Sequence, residues 1–230
     1  MKTFKLLGLL LTYPRESLQE AVGSFAEVFA SEDLLTKSQI KSLQPLLEDY
    51  ANGDLITLQE QYVNTFDRGR NHCLYLFEHI HGESRDRGAA MVDMKEMYAS
   101  KGLDISSNEL PDYLPVFLEY LSFCELDEAI EMLSEAIDVI ATIGAHLKKG
   151  KSTFSSIFIA LENLPKIKVD KKKVALAVKN APKDPETFDE LDKEWEETPA
   201  FDNNEADCNS CSAYQKSSDN SQNLFSGDIQ

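Results

Sequence analysis

The sequence predicts an all-α fold, a single compact multi-helix domain followed by an acidic C-terminal tail. Three observations carry this expectation. Apolar residues recur at i, i+3, i+4 and i+7 along most of the first 165 residues, and no alternating strand pattern competes. The chain has 230 residues and is 42% hydrophobic, enough for one core without disulfide or metal staples. Charge is lopsided: residues 182–230 hold 13 acids against 3 lysines, while residues 1–181 hold 27 acids against 20 basic residues.

The elements follow in order. Phe4, Leu7 and Leu11 share a helix face, and Pro14 ends that helix. Leu18, Ala21, Val22, Phe25 and Phe29 continue at helical spacing. Thr36 is placed to cap a helix carrying Ile40, Leu43, Leu47 and Tyr50, which Pro45 should kink or restart. Asn52-Gly53 is a stop signal and Asp54 a fresh N-cap. Leu55, Leu58, Tyr62 and Phe66 line the next helix. Gly69 and Gly82 break the following segment, Ser84 is a plausible cap for a helix from Arg85 to Lys101, and Lys101-Gly102 closes it. A polar loop leads to a helix carrying Val116, Phe117, Tyr120 and Leu121. The clearest stripe is Ile130, Leu133, Ile137, Ile140, Ile143, Gly144 and Leu147, within a helix from Asp127 to Leu147. Phe154, Ile157, Phe158 and Leu161 make a last core helix closed by Pro165. We therefore divide the chain into a helical domain at 1–165, variable short helices at 166–198 and a disordered acidic tail at 199–230.

Composition excludes several function classes. A net charge of −17 argues against nucleic acid, because phosphate binding needs a basic surface, and permits a basic or amphipathic peptide. No segment approaches the ~20 apolar residues of a membrane span. The apolar run from Leu6 to Leu11 is short and lacks a small-residue cleavage site, so it reads as a core helix and a cytoplasmic protein is expected. Cys73 and Cys124 read as reduced core thiols. Cys208-x-x-Cys211 stands without a second pair in the acidic tail, a weak redox or zinc signal.

The rare residues concentrate in one segment, "DRGRNHCLYLFEHIHGESRDRG", residues 67–88. It holds four of the five arginines and three of the four histidines. Glu78, His79, His81 and Glu83, with His72 and Cys73 upstream, are competent metal ligands, but their spacing fits no strong motif. Arginine offers a planar fork for carboxylate or phosphate. One use is internal, with Arg68 and Arg87 pairing with Asp67, Asp86 or Glu83. The other is recognition of an anionic ligand or a partner peptide. "ELPDYLP", residues 109–115, places Glu109 and Asp112 at a helix start, where Asp112 or Asn108 could serve first-turn amides. No nucleophile with its base stands out, and no Gly-rich phosphate loop is present. That favours binding over catalysis.

"FDRGR…LYLFEHIHGESRDRGAAMVDM" followed by "ELPDYLPVFLEYLS" resembles the NarJ family, the molybdenum cofactor assembly chaperones of respiratory nitrate reductase. The resemblance is dense from Tyr62 to Ser122 and fainter over the N-terminal helices, where "LLTYP" fits. "ELPDYLP" also resembles the Glu-x-Pro-Asp signature of the wider group of redox-enzyme maturation chaperones, with Tyr113 where many members have His.

The resemblance implies an all-α domain and a non-enzymatic role. Such a chaperone binds the apo catalytic (alpha) subunit in the cytoplasm through that subunit's N-terminal segment. It holds the subunit ready for insertion of bis-molybdopterin guanine dinucleotide and an iron–sulfur cluster, delays membrane docking, and is absent from the finished enzyme. It keeps no permanent cofactor, and molybdenum cofactor biosynthesis proteins are further candidate partners. The expected mode is a helix in a groove lined by Leu76, Phe77, Tyr113 and Phe117. The expected partner-binding set is Phe77, Glu78, His79, His81, Glu83, Arg85, Arg87, Glu109, Pro111, Asp112 and Tyr113. Asp67, Arg68, Gly69, Gly82, Asp86 and Gly88 would hold the loop. No catalytic or metal residue is assigned. Two alternatives stay open: a metal carrier using His72, His79 and His81, and a direct cofactor handler gripping phosphates with Arg68, Arg70, Arg85 and Arg87.

Overall fold

The structure, a computed structural model, describes residues 1–81, 85–105, 109–165 and 167–181, with the backbone alone for His81 and Arg85. Gly82, Glu83, Ser84, Asn108, Cys208, Cys211 and the whole of 182–230 lie outside the described residues. Among the described residues the architecture is all-α, with eleven α-helices, one π-helical turn and one 3₁₀ turn.

Helix α1 (Lys2–Leu9) is central, with Phe4, Leu7, Leu10 and Leu11 fully buried along it and just past its end. Both ends are satisfied by distant side chains. At the start, the Glu32 carboxylate accepts from the Lys2 and Thr3 amides at 2.6 and 2.7 Å and from the Thr3 hydroxyl at 2.8 Å. At the finish, the Tyr50 hydroxyl donates to the Leu10 carbonyl and the Tyr62 hydroxyl to the Leu11 carbonyl, each at 3.1 Å. These are the carbonyls that a helix end leaves without intrahelical partners.

The sequence expectation of one run through residues 18–29 is corrected. The chain forms α2 (Glu16–Val22) and α3 (Phe25–Glu32), broken at Gly23-Ser24. The Ser24 hydroxyl takes the Ala21 carbonyl at 2.9 Å, competing with the helix ladder. The break lets both short helices pack on α4 (Lys37–Asn52) while α3 also reaches α1. Helix α4 starts with the expected Thr36 cap, a reciprocal box in which Gln39 answers the Thr36 amide at 2.7 Å. It does not restart at Pro45. That residue is exposed, so the Lys41 carbonyl it leaves without a donor can reach water.

Asp54 caps α5 (Leu55–Tyr62) by accepting from the Thr57 amide at 3.0 Å. The expected continuation to Phe66 is a π-helical turn, Val63–Asp67. The extra residue in that turn brings Tyr62 and Phe66 together against Phe154, with Phe66 and Phe154 ring centroids 4.9 Å apart. A 3₁₀ turn (Arg70–His72), α6 (Leu76–His81) and α7 (Arg85–Ser100) follow, and Gly102 closes α7 at φ +74°, which suits glycine.

Helix α8 (Leu114–Phe123) lies against α1. Helix α9 (Leu126–Lys149) is the longest and buries Leu133, Ile137, Ile140, Ile143 and Leu147, as its stripe predicts. It carries α10 (Ser155–Glu162), α11 (Lys171–Asn180), α6 and the 3₁₀ turn. Helix α11 is tied down by Lys173 to Asp138 at 3.0 Å.

Candidate functional site

The two motif-bearing segments meet. The Leu76 amide donates to the Asp112 carbonyl at 2.9 Å, and the Leu114 amide to the Leu74 carbonyl at 2.8 Å. This antiparallel bridge joins residues 74–76 to 112–114. Asp112 then serves a helix other than its own. Its Oδ2 accepts from the Phe77 amide at 3.0 Å, capping α6 from 35 residues away. Asp112 is completely buried, and its carboxylate serves α6 rather than the first turn of α8. Burial raises its carboxyl above the ordinary range, opposed by the Phe77 amide and the Arg87 charge.

Around this clasp the side chains interlock. Tyr75 and Tyr113 rings lie 5.2 Å apart, and the Tyr75 hydroxyl donates to Glu109 at 2.8 Å. Tyr113 and Tyr62 hydroxyls are 2.9 Å apart. Tyr98, from α7, donates to the Pro111 carbonyl at 2.8 Å. Arg87 pairs with Glu78 at 2.6 Å rather than with Asp67 or Asp86. Its Nε and Asp112 Oδ1 are buried without a hydrogen-bonding partner. His79 Nε2 sits 2.8 Å from the Cys73 carbonyl, and burial lowers its pKa, favouring neutral imidazole. Burial pushes the Cys73 thiol up, the opposite of a reactive thiolate. His72 faces His146, ring centroids 6.1 Å apart.

The expected groove lining is partly overturned. Leu76 and Phe117 are 3% and 4% exposed and belong to the core; Phe77 is half-buried. Asp86 and Gly88 lie inside the first turn of α7 rather than in a loop, while Asp67, Arg68 and Gly69 sit where the π turn passes into the 3₁₀ turn. The concave surface runs elsewhere. A groove of 540 Å³ opens between α1, α2 and the start of α8, with Leu9, Ala21, Tyr113 and Val116 on its walls. Lys5 and Glu119 line it too and pair at 3.1 Å. A second pocket of 210 Å³ adjoins through the shared residues Tyr13, Glu109 and Tyr113. Sequence reasoning missed Tyr13, Tyr75 and Tyr98 as site residues. The local signals were the place of Tyr75 inside the first motif, of Tyr98 between the two, and of Tyr13 in "LLTYP".

Among the described residues no group of three or more His, Cys, Asp and Glu side chains is placed to hold a metal ion. No helix of the described residues is long and apolar enough to cross a membrane. The arrangement offers shape, aromatic faces and carboxylates for recognition.

The model of the nitrate reductase delta subunit family matches residues 15–159. The chain is 38% identical over 192 residues to the nitrate reductase molybdenum cofactor assembly chaperone NarJ of Escherichia coli K12, covering 84% of this chain and 81% of that one. It is 38% identical over 201 residues to the probable chaperone NarW of the same strain, covering 86% and 82%. Likeness to the probable NarJ of Bacillus subtilis 168 is 28% over 166 residues, covering 70% and 89%.

Proposed function

The chain belongs to the nitrate reductase delta subunit family, and from that premise we propose how it works on its partner. It is a system-specific maturation chaperone for nitrate reductase, not an enzyme. In our reading it binds the apo catalytic (alpha) subunit in the cytoplasm, through that subunit's N-terminal segment. It keeps the subunit open for insertion of bis-molybdopterin guanine dinucleotide and the iron–sulfur cluster, then leaves before membrane docking. It holds no cofactor of its own, and proteins of cofactor biosynthesis join it transiently.

The observation that carries this reading is the likeness to assembly chaperones across most of both chains. The groove between α1, α2 and α8 gives it a physical form, since its volume and apolar walls suit one face of an amphipathic helix. Glu109 and Tyr113 line that groove, while Pro111 is buried, with its carbonyl accepting from Tyr98. Glu78, His79, Arg87 and Asp112 act from behind, by fixing α6 and the bridge. The handler of anionic cofactor keeps less support, because Arg87 is already committed to Glu78.

Titration with a peptide copying the catalytic subunit's N-terminal segment tests the proposal. Ala21 is exposed on the groove wall, so Ala21→Trp should fill the groove without unfolding the protein and weaken binding about tenfold or more. Unchanged affinity in that variant would remove the groove, and absence of wild-type binding would remove the peptide mode. We also retain the division of the chain at residues 165 and 198, and truncation after Pro199 should leave peptide affinity unchanged.

A further inference from the structure

We propose that Arg87 is a latch that fastens the first half of α7 to the clasp by holding Glu78 and Asp112 at once, and that its release frees α7 as a strap hinged at Tyr98. The latch is a device of the fold and stands or falls apart from the mode of partner binding.

Helix α7 is held unevenly. Among its described side chains Tyr98 alone is buried. At that end the Tyr98 hydroxyl donates to the Pro111 carbonyl at 2.8 Å, and the Tyr98 and Tyr120 rings lie 4.6 Å apart. Lys101, just past the helix, meets Glu128 at 2.8 Å. Ahead of Tyr98 the described side chains make one polar tie to another element, Arg87 to Glu78. Met91, Met94 and Met97 are three of the chain's five methionines and are half-buried, with Met94 and Met97 packed on the core. Methionine is flexible and specifies a packing geometry weakly. A Cβ at Gly88, beside the latch, would meet open space, so packing requires no glycine there, and the helix start is weaker for it. The start of α7 is therefore the end that opens at lower cost.

The latch is built from two complementary atoms. Arg87 Nε and Asp112 Oδ1 are both buried without a hydrogen-bonding partner, one a cationic donor and the other a carboxylate acceptor. Buried polar atoms of folded proteins are almost always paired. The two residues are neighbours through α6, where Asp112 Oδ2 holds the Phe77 amide and Glu78, the next residue, holds Arg87. Burial raises the Asp112 carboxyl, and the Phe77 amide and the Arg87 charge draw it down, so the field of the guanidinium reaches that carboxylate. Nη1 serves Glu78 at 2.6 Å. Nε lies on another edge of the guanidinium plane, so one fork can serve both carboxylates, which the single ammonium of lysine does not. Arg87 is in this sense a positioning residue, joining α7 to α6 and to residues 112–114.

Amide hydrogen exchange of the full-length protein tests the latch. Arg87→Met, which keeps an apolar stem and loses the fork, should speed exchange from Ala89 to Lys95 about tenfold and leave α8 and α9 unchanged. Glu78→Gln and Asp112→Asn should each speed it about threefold, but less than about 1.5-fold in the Arg87→Met background, because coupled partners are not additive. Arg87→Lys should keep the Glu78 effect and lose the Asp112 effect. An Asp112→Asn effect as large in the Arg87→Met background as in wild type overturns the double hold. Faster exchange spread evenly through Ser100 and into α8 overturns the hinge. Should Arg87→Met not fold, the nitrogen resonance of Arg87 Nε decides, for it should shift in Asp112→Asn. A resonance that this substitution leaves unmoved overturns the latch.

Discussion

Asp112 is the position where one substitution separates two physical roles of the same carboxylate. Its Oδ2 accepts the Phe77 amide at 3.0 Å, and the side chain is fully buried. Asp112→Ala leaves that amide without an acceptor in a place that water does not reach. An orphaned buried donor costs about 1–3 kcal/mol, and loss of a cap alone about 1 kcal/mol. Asp112→Asn keeps an oxygen for the amide and removes a charge that burial already disfavours. Its cost should stay within about 1 kcal/mol. Urea unfolding followed by far-ultraviolet circular dichroism reads the difference. At a slope of about 2.5 kcal/mol per molar, a loss of ~2 kcal/mol lowers the midpoint of the alanine variant by roughly 0.8 M. Because the residue acts from inside, Asp112→Asn should bind the partner peptide within about twofold of wild type. If both variants lose stability equally, the charge facing Arg87, and not the acceptor for α6, is what matters, and the capping argument is wrong.

Two further outcomes follow from the packing and the buried imidazole. A Cβ at Gly144 would meet Phe158 Cβ at 2.6 Å, so Gly144→Ala should destabilise by about 1–3 kcal/mol. Thermal melting should fall by roughly 2–4 °C per kcal/mol, while Gly88→Ala, where a Cβ meets nothing, should be neutral or stabilising by up to ~1 kcal/mol. The folded protein lowers the pKa of His79 below 6.5, so below that pH the unfolded chain binds a proton that the folded chain resists. The stability held by neutral His79 is present above pH 6.5 and drains away as pH falls through that window. Denaturation midpoints should therefore fall more steeply below pH 6.5 for wild type than for His79→Gln, and parallel slopes would contradict the burial of that ring.

The helices and their local punctuation were legible because the information is carried within a few residues. The caps at Thr36 and Asp54, the αL glycine at Gly102 and the stripe of α9 each depend on neighbours one to four positions away. The break at Gly23-Ser24 and the π turn at Val63–Asp67 were not legible, since a periodic apolar run looks the same whether or not one residue is inserted. Of the two outcomes expected at Pro45, a kink or a restart, the restart does not occur: the helix continues because the freed carbonyl can face water, which the sequence does not state.

The sequence also singled out two segments, residues 67–88 and 109–115, through their unusual chemistry and their family likeness. It did not say that they clasp one another. Asp112 caps α6 across 35 residues, and Tyr62 reaches both Leu11 and Tyr113 across 51. Such contacts depend on where the core brings distant turns together, so local propensity holds no trace of them. For the same reason the concave surface kept the expected Tyr113 and Glu109, lost Leu76 and Phe117 to the core, and took in Tyr13 and Val116. By itself the sequence determined an acidic, all-helical protein and its family. Only the tertiary structure decided which carboxylates and rings are spent on the fold, as Asp112 is on α6 and Tyr62 on the end of α1. A side chain's availability is what is left after its long-range neighbours have taken their share.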